Sequence, residues 1–182
     1  MIQNVEGLHM VGSHYNYNMI TTLDMANIRL LHMNDCKNLD FFYNTMKNAS
    51  KLRWMQMKMC VGENRGEDIQ QLQPSFFIPF KQLSVLEMEW FEYLQHLPCE
   101  IGTLEMLEYL TLIDCRRLES VPQTLGHLTS LVKLNLSRFT NLKALPQTLG
   151  NLTSLVELNL CWCSSLKEIP ETLGNLTSLV EF

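Results

Sequence analysis

Residues 125–148 read LGHLTSLVKLNLSRFTNLKALPQT, and residues 149–172 read LGNLTSLVELNLCWCSSLKEIPET. The second stretch follows the first directly and repeats it slot for slot. Working outward, residues 101–124, IGTLEMLEYLTLIDCRRLESVPQT, are the same unit with more substitutions. Residues 77–100 keep its apolar slots through Phe77, Phe80, Leu83, Leu86, Met88, Leu94, Leu97 and Pro98. Residues 173–182, LGNLTSLVEF, begin another copy. Pro74, Pro98, Pro122, Pro146 and Pro170 recur at that same spacing throughout. A fixed period of this length is the signature of a stacked repeat architecture.

Upstream the pattern weakens but persists. Its kernel is LxxLxL with Cys three places later, as in Leu107-Leu110-Leu112-Cys115 and Leu155-Leu158-Leu160-Cys163. Leu52-Met55-Met57-Cys60 and Ile28-Leu31-Met33-Cys36 repeat it, and Val5-Leu8-Met10-Ser13 is the weakest copy. From Val5 to Leu179 the first residues of the copies are 23, 24, 31, 24, 24, 24 and 24 apart. The long step carries VGENRGED at 61–68, which reads as a solvated loop insertion because it holds two glycines and four charges.

Each unit holds an alternating Leu-x-Leu, which makes one short strand with one face inward. A unit this small cannot cover that face alone, so stacking completes the core and lines the strands into a parallel sheet. The LPxxLGxLxxL half is the return path, where a proline interrupts no ladder and leucines at short helical spacing point back inward. This predicts strands near 5–10, 28–33, 52–57, 83–88, 107–112, 131–136 and 155–160, with a partial eighth near 179–182.

The pattern LxxLxLxx(N/C)xxLxxLP resembles that of the leucine-rich repeat family over nearly the whole chain. The resemblance implies an α/β solenoid, a horseshoe with a concave parallel sheet and short helical or irregular convex turns. The chain then reads as one domain, 1–182, of about seven repeats and a truncated eighth. In the family the slot of Cys36, Cys60, Cys115 and Cys163 points inward to bond the turning backbone, a role a small buried thiol can fill. Phe91 and Phe139 hold that slot in two repeats, which argues against a ligand role, and free thiols imply a reducing compartment.

The stretches CRRLESVP and CSSLKEIP, with LGNLTSLVxLNL, resemble the leucine-rich repeat domains of plant intracellular nucleotide-binding immune receptors, the disease-resistance proteins. Secreted plant repeats usually carry NxLxGxIP at that place. The resemblance implies a cytoplasmic recognition module that binds a protein ligand or a neighbouring domain of a parent chain. The sequence lacks the GxxxxGK[ST] loop of such receptors and every kinase, protease or lipase signature, so no enzyme and no cofactor are expected. Phe182 falls in the core slot of Leu134 and Leu158, which reads as a fragment of something longer. An intracellular scaffold or adaptor, and the substrate-recognition arm of a ubiquitin ligase, are the alternatives.

Composition narrows the partner. The chain is 46% hydrophobic and 18% charged, apolar enough to build a core and too apolar for disorder. Nineteen acidic against fourteen basic side chains argue against nucleic acid, which selects clustered positive charge. No apolar run approaches the ~18–20 residues of a bilayer span, so no membrane is expected.

Residues alternating with the inward leucines face the concave side. One column, after the strands, reads Gly12, Asp35, Met59, Trp90, Asp114, Arg138, Trp162; another, before the first inner leucine, reads Gly7, Leu30, Trp54, Val85, Tyr109, Lys133, Glu157. Trp54, Trp90, Tyr109 and Trp162 are residue types that anchor interfaces, and they predict a contiguous aromatic band. The mixed charges Glu87, Glu89, Asp114, Lys133, Arg138 and Glu157, with Lys58, suit a protein partner. His9 and His32 share a concave slot in adjacent repeats and read as surface, since a metal would need a third ligand.

Overall fold

The computed structural model describes residues 6–11, 24–34, 39–59 and 71–182. Val5, Gly12, Ser13, Asp35, Cys36, Cys60 and the proposed insertion at 61–68 lie outside the described residues. Among the described residues seven strands form one sheet in chain order: β1 (Gly7–Val11), β2 (Leu30–Asn34), β3 (Trp54–Lys58), β4 (Val85–Glu89), β5 (Tyr109–Ile113), β6 (Lys133–Asn135) and β7 (Glu157–Asn159). Every neighbouring pair is parallel, and equivalent repeat positions are paired, as in Leu8↔Leu31 and Leu110↔Leu134. The partial eighth strand is a single parallel bridge, Glu157↔Glu181.

The strands begin two residues later than the leucine pattern suggests, and the backbone says why. Leu52, Leu83, Leu107, Leu131 and Leu155 point into the core, but their N–H groups close the last turn of the return path, as in Leu131 N–H to Leu128 O at 2.9 Å. Only after that bond is made is the backbone free to join the ladder. β6 and β7 are also shorter than β1–β5. Asn135 Oδ1 accepts the Ser137 N–H, and Asn159 Oδ1 the Cys161 N–H, both at 2.9 Å. Those side chains compete locally with the strand.

On the return side the sequence period is three. Leu125, Leu128 and Leu131 follow Pro122, and each N–H donates to the carbonyl three residues back. That is 3-10 geometry, in which residues i and i+3 eclipse and all three leucines face the core. Pro98, Pro122, Pro146 and Pro170 each stand just before such a turn, at φ between −55° and −69°. Their fixed φ suits that place, where a missing N–H costs nothing. Between β2 and β3 the return path instead holds the α-helix α1 (Leu39–Met46). Phe42 and Met46, four apart, are both buried from it.

The turns stack as tightly as the strands. A Cβ built on Gly102, Gly126 or Gly150 would lie 2.4, 2.3 or 2.4 Å from the carbonyl of Thr124, Thr148 or Thr172 in the next return turn. Those threonines reach back, donating from Oγ1 to Cys99 O, Gln123 O and Gln147 O at 2.5, 2.6 and 2.7 Å. The Leu-Gly and Pro-x-Thr elements of the motif are thus the two halves of one contact between repeats. A Cβ on Gly174 would meet nothing within 4 Å.

Two pairs of substitutions check this geometry by denaturant unfolding. Gly126→Ala should destabilise by about 1–3 kcal/mol, because backbone must move to admit the methyl, whereas Gly174→Ala should stay within ~0.5 kcal/mol. Leu134→Ala should cost ~2–5 kcal/mol as a buried leucine, and Lys133→Ala, exposed beside it, within ~0.5 kcal/mol.

Candidate protein interface

The strand register converts the alternating pattern into rows across the exposed face of the sheet. The first row is Gly7, Leu30, Trp54, Val85, Tyr109, Lys133, Glu157. The second is His9, His32, Gln56, Glu87, Thr111, Asn135, Asn159. The third carries Val11, Asn34, Lys58, Glu89 and Ile113. Inward leucines and methionines separate the rows, so each row is fixed by the core beneath it.

Just past the strands lies the row whose backbone departs from the rest. Trp90, Asp114, Arg138 and Trp162 have φ of 62°, 57°, 64° and 65°. This left-handed turn carries the next side chain back inward, and Phe91, Cys115 and Phe139 are fully buried. A non-glycine residue there costs roughly 1–2 kcal/mol, least for Asp. Tryptophan and arginine gain no such relief, and strain of this kind collects at functional positions.

Two sequence-based placements need correction. Met59 shares the row by number, but it takes no left-handed turn and is buried at 5% exposure. Asp114 is no surface charge: it is 3% exposed, beneath Arg116 at 3.1 Å and Arg138 at 3.4 Å. Arg116 also approaches Glu92 at 3.7 Å. The buried carboxylate is compensated by those guanidiniums, as a buried charge requires, and it fixes Arg138 in place.

The aromatic residues form two groups rather than one contiguous band. Trp54 and Tyr109 belong to the first row with Val85 between them. Trp90 and Trp162 lie at the other ends of the strands, three repeats apart, with Asp114 and Arg138 between. A five-residue strand spans roughly 17 Å, which separates the two groups. Trp90 is half-buried, with the Lys58 ammonium 4.3 Å from its ring centroid and that lysine paired to Glu89 at 3.0 Å. Trp162 is 78% exposed.

The remaining charges engage one another. Gln56 Nε2 donates to Glu87 Oε2 at 2.6 Å. Lys133 and Glu157 pair at 2.6 Å, and the carboxylate raises the lysine's pKa. His9 and His32 stack with centroids 4.3 Å apart and planes 4° from parallel. Among the described residues no three His, Cys, Asp or Glu side chains are grouped to hold a metal ion.

The thiols divide by place. Cys115 is buried in the slot after its strand, and burial pushes its pKa up to about 12, with Asp114 adding to the rise. Cys163 is half-buried; its Sγ donates to Leu136 O at 3.1 Å, and burial raises its pKa. Cys99 and Cys161 are exposed. Cys99 Sγ donates to Glu100 Oε2 at 3.4 Å, which holds the proton and raises its pKa. The inward role expected of the Cys slot is realised at Cys115 and Cys163.

In the folded chain at pH 8, Ellman's reagent should modify Cys161 quickly and Cys115 only on unfolding, since the thiolate is the nucleophile. The same burial sets a pH dependence. The unfolded thiol releases its proton near 9 and the folded one near 12. The folded state therefore binds the extra proton between those values, and stability should fall as pH rises through that window. Cys115→Ala should show a shallower fall by urea unfolding across the same range.

Several solved structures share this architecture. The chain resembles the structure of a leucine-rich repeat protein of Leptospira interrogans, with TM-score 0.67 and 24% identity over 92% of this chain and 39% of that one. The leucine-rich repeat domain of the type III effector XopL gives TM-score 0.67 and 22% identity over 90% of this chain and 63% of that one. The ectodomain of the plant membrane receptor kinase GASSHO1 from Arabidopsis thaliana, solved with CASPARIAN STRIP INTEGRITY FACTOR 2, gives TM-score 0.54 and 18% identity, over 98% of this chain and 24% of that one. This chain thus spans less than two thirds of each. No curated protein matches it in sequence. At these identities the likeness establishes the fold. The family model for a leucine-rich repeat region matches residues 46–182, and with one open parallel sheet and its stacked turns, the chain belongs to the leucine-rich repeat family.

Proposed function

We propose that the chain is the recognition region of a plant intracellular immune receptor, binding a protein ligand or restraining a neighbouring domain of its parent. The observation that carries the recognition role is Trp162. A large aromatic ring stands 78% exposed on a backbone strained at φ 65°. The strained turn does not help the fold, since it would be easier for glycine or asparagine. Arg138, in the same conformation, lies one repeat away over the buried Asp114. Exposed tryptophan beside a fixed arginine is the composition of an interface anchor. Leucine-rich repeat regions bind protein partners generally, which agrees with this reading.

The immune assignment rests on the repeat flavour, CxxLxxxP after the strand and LGNLTSL before it. In that role the chain selects or restrains and performs no catalysis, works in the cytoplasm, and needs no cofactor.

Two measurements test the two halves of the proposal. The transcript that encodes the chain should carry a nucleotide-binding domain with GxxxxGK[ST] upstream in frame; an F-box there would assign the ligase-arm role instead. In the parent protein, Trp162→Ala should weaken partner capture at least thirtyfold, or about 2 kcal/mol, or else release activity without ligand. Gln123→Ala and Gln147→Ala on the return side should leave both readouts unchanged. Wild-type behaviour of Trp162→Ala in both readouts would remove this surface from consideration.

A further inference from the structure

The opposite edge of the sheet face has a polarity that the internal ion pairs leave unbalanced. Three pairs close within the face: Lys58–Glu89, Lys133–Glu157 and Arg138–Asp114. The residues just before the strands form a further row, because Arg53 N–H bonds Arg29 O and Ser84 N–H bonds Arg53 O. Along it stand Glu6, Arg29, Arg53, Ser84 and Glu108. Arg29, Arg53 and Glu108 are exposed, and none of the three forms an ion pair among the described residues. Lys51, beside Arg53, touches only the neutral Asn27 Oδ1 at 2.8 Å. Ser84, its Oγ donating to Arg53 O at 3.1 Å, separates Arg29 and Arg53 from Glu108, and the acidic Glu6 lies beyond Arg29 at the outer end of the row.

Against this row lies the apolar part of the first sheet row: Leu30, Trp54, Val85 and Tyr109, with Leu30 and Tyr109 exposed and the others half-buried. The edge therefore offers an apolar strip across β2–β5, positive at β2–β3 and negative at β4–β5, where Glu87 adds a second carboxylate bound only to neutral Gln56. Arg29 and Arg53 stand in adjacent repeats just before β2 and β3, and neither meets an acidic partner among the described residues.

Spacing selects the occupant. Strands in a sheet lie ~4.8 Å apart, while an extended peptide repeats a face every ~6.7 Å. A helix repeats its ridge every ~5.4 Å, the nearer match over three successive steps. We infer that this edge binds an amphipathic helix of a protein partner, apolar ridge on Leu30–Trp54–Val85–Tyr109, acidic at its Arg29–Arg53 end and basic at its Glu108 end. The inference deepens the recognition reading above and rests on it, but it names a different edge and a partner chemistry.

The test pans a phage library of randomised amphipathic helices, five turns long, against the full 182-residue chain. Selected helices should carry Asp or Glu at one end of an apolar ridge and Lys or Arg at the other. Arg29→Glu with Arg53→Glu should weaken them at least tenfold, and changing the peptide's acidic residues to Lys should restore binding to that variant. Glu108→Lys should weaken the same peptides from the other end, giving a second reading that does not depend on the double variant. Helices that bind wild type and both charge-reversed chains alike overturn the inference. If those helices are lost on Trp162→Ala, recognition by the exposed face stands and only this edge is wrong. If neither the charge reversals nor Trp162→Ala moves any selected helix, both readings fail.

Discussion

A single repeat cannot bury its own leucines, and everything else in this molecule follows from the need for the next repeat to cover them. The cover is made twice, once on each side. On one side, strands pair residue for residue along the chain, Leu110 beside Leu134 beside Leu158. On the other, the return turns close on one another at glycine, with the threonine of the following turn filling the space a Cβ would take. Both contacts demand the same period, so an insertion is tolerated only where neither is made. Stability in such a stack is a sum of repeat and neighbour terms, and neither of these two contacts calls on the side chains of the exposed face.

That freedom is visible in what the face carries. The four left-handed residues after the strands lie where the chain must turn to send the next side chain inward. The turn is structural, yet tryptophan and arginine are not the residue types it favours. Asp114 shows the alternative use of the same slot, a residue that tolerates the conformation and disappears under two arginines. The slot therefore serves the fold in one repeat and presents a side chain to solvent in another.

Much of this is legible in the sequence because the period is strict. The inward leucines, the parallel sheet and the first sheet row can be read from spacing, and the burial of Cys115 is what the resemblance to leucine-rich repeats implies for its slot. What is not legible depends on contacts between repeats or on backbone sign. Strand starts shift because Leu131 and its equivalents must first close a 3-10 turn. Asp114 is buried by Arg138, a full repeat away, and by Arg116, which its own neighbourhood could equally have turned to solvent. Met59 occupies the numbered slot of Trp90 yet goes into the core. The expected contiguous aromatic band fails because Trp90 and Trp162, in the column after the strands, lie a strand's length from Trp54 and Tyr109.

We propose that Trp162 is held in an unfavourable conformation for the sake of the surface, not the fold. Trp162→Asn separates the two directly, because asparagine relaxes at positive φ and surrenders the exposed ring. Urea unfolding of the variant is the measurement. Stability should rise by about 0.5–1 kcal/mol, although the largest side chain of its repeat is gone. A loss of more than about 1 kcal/mol would contradict it, by showing that the ring is packed for the fold after all.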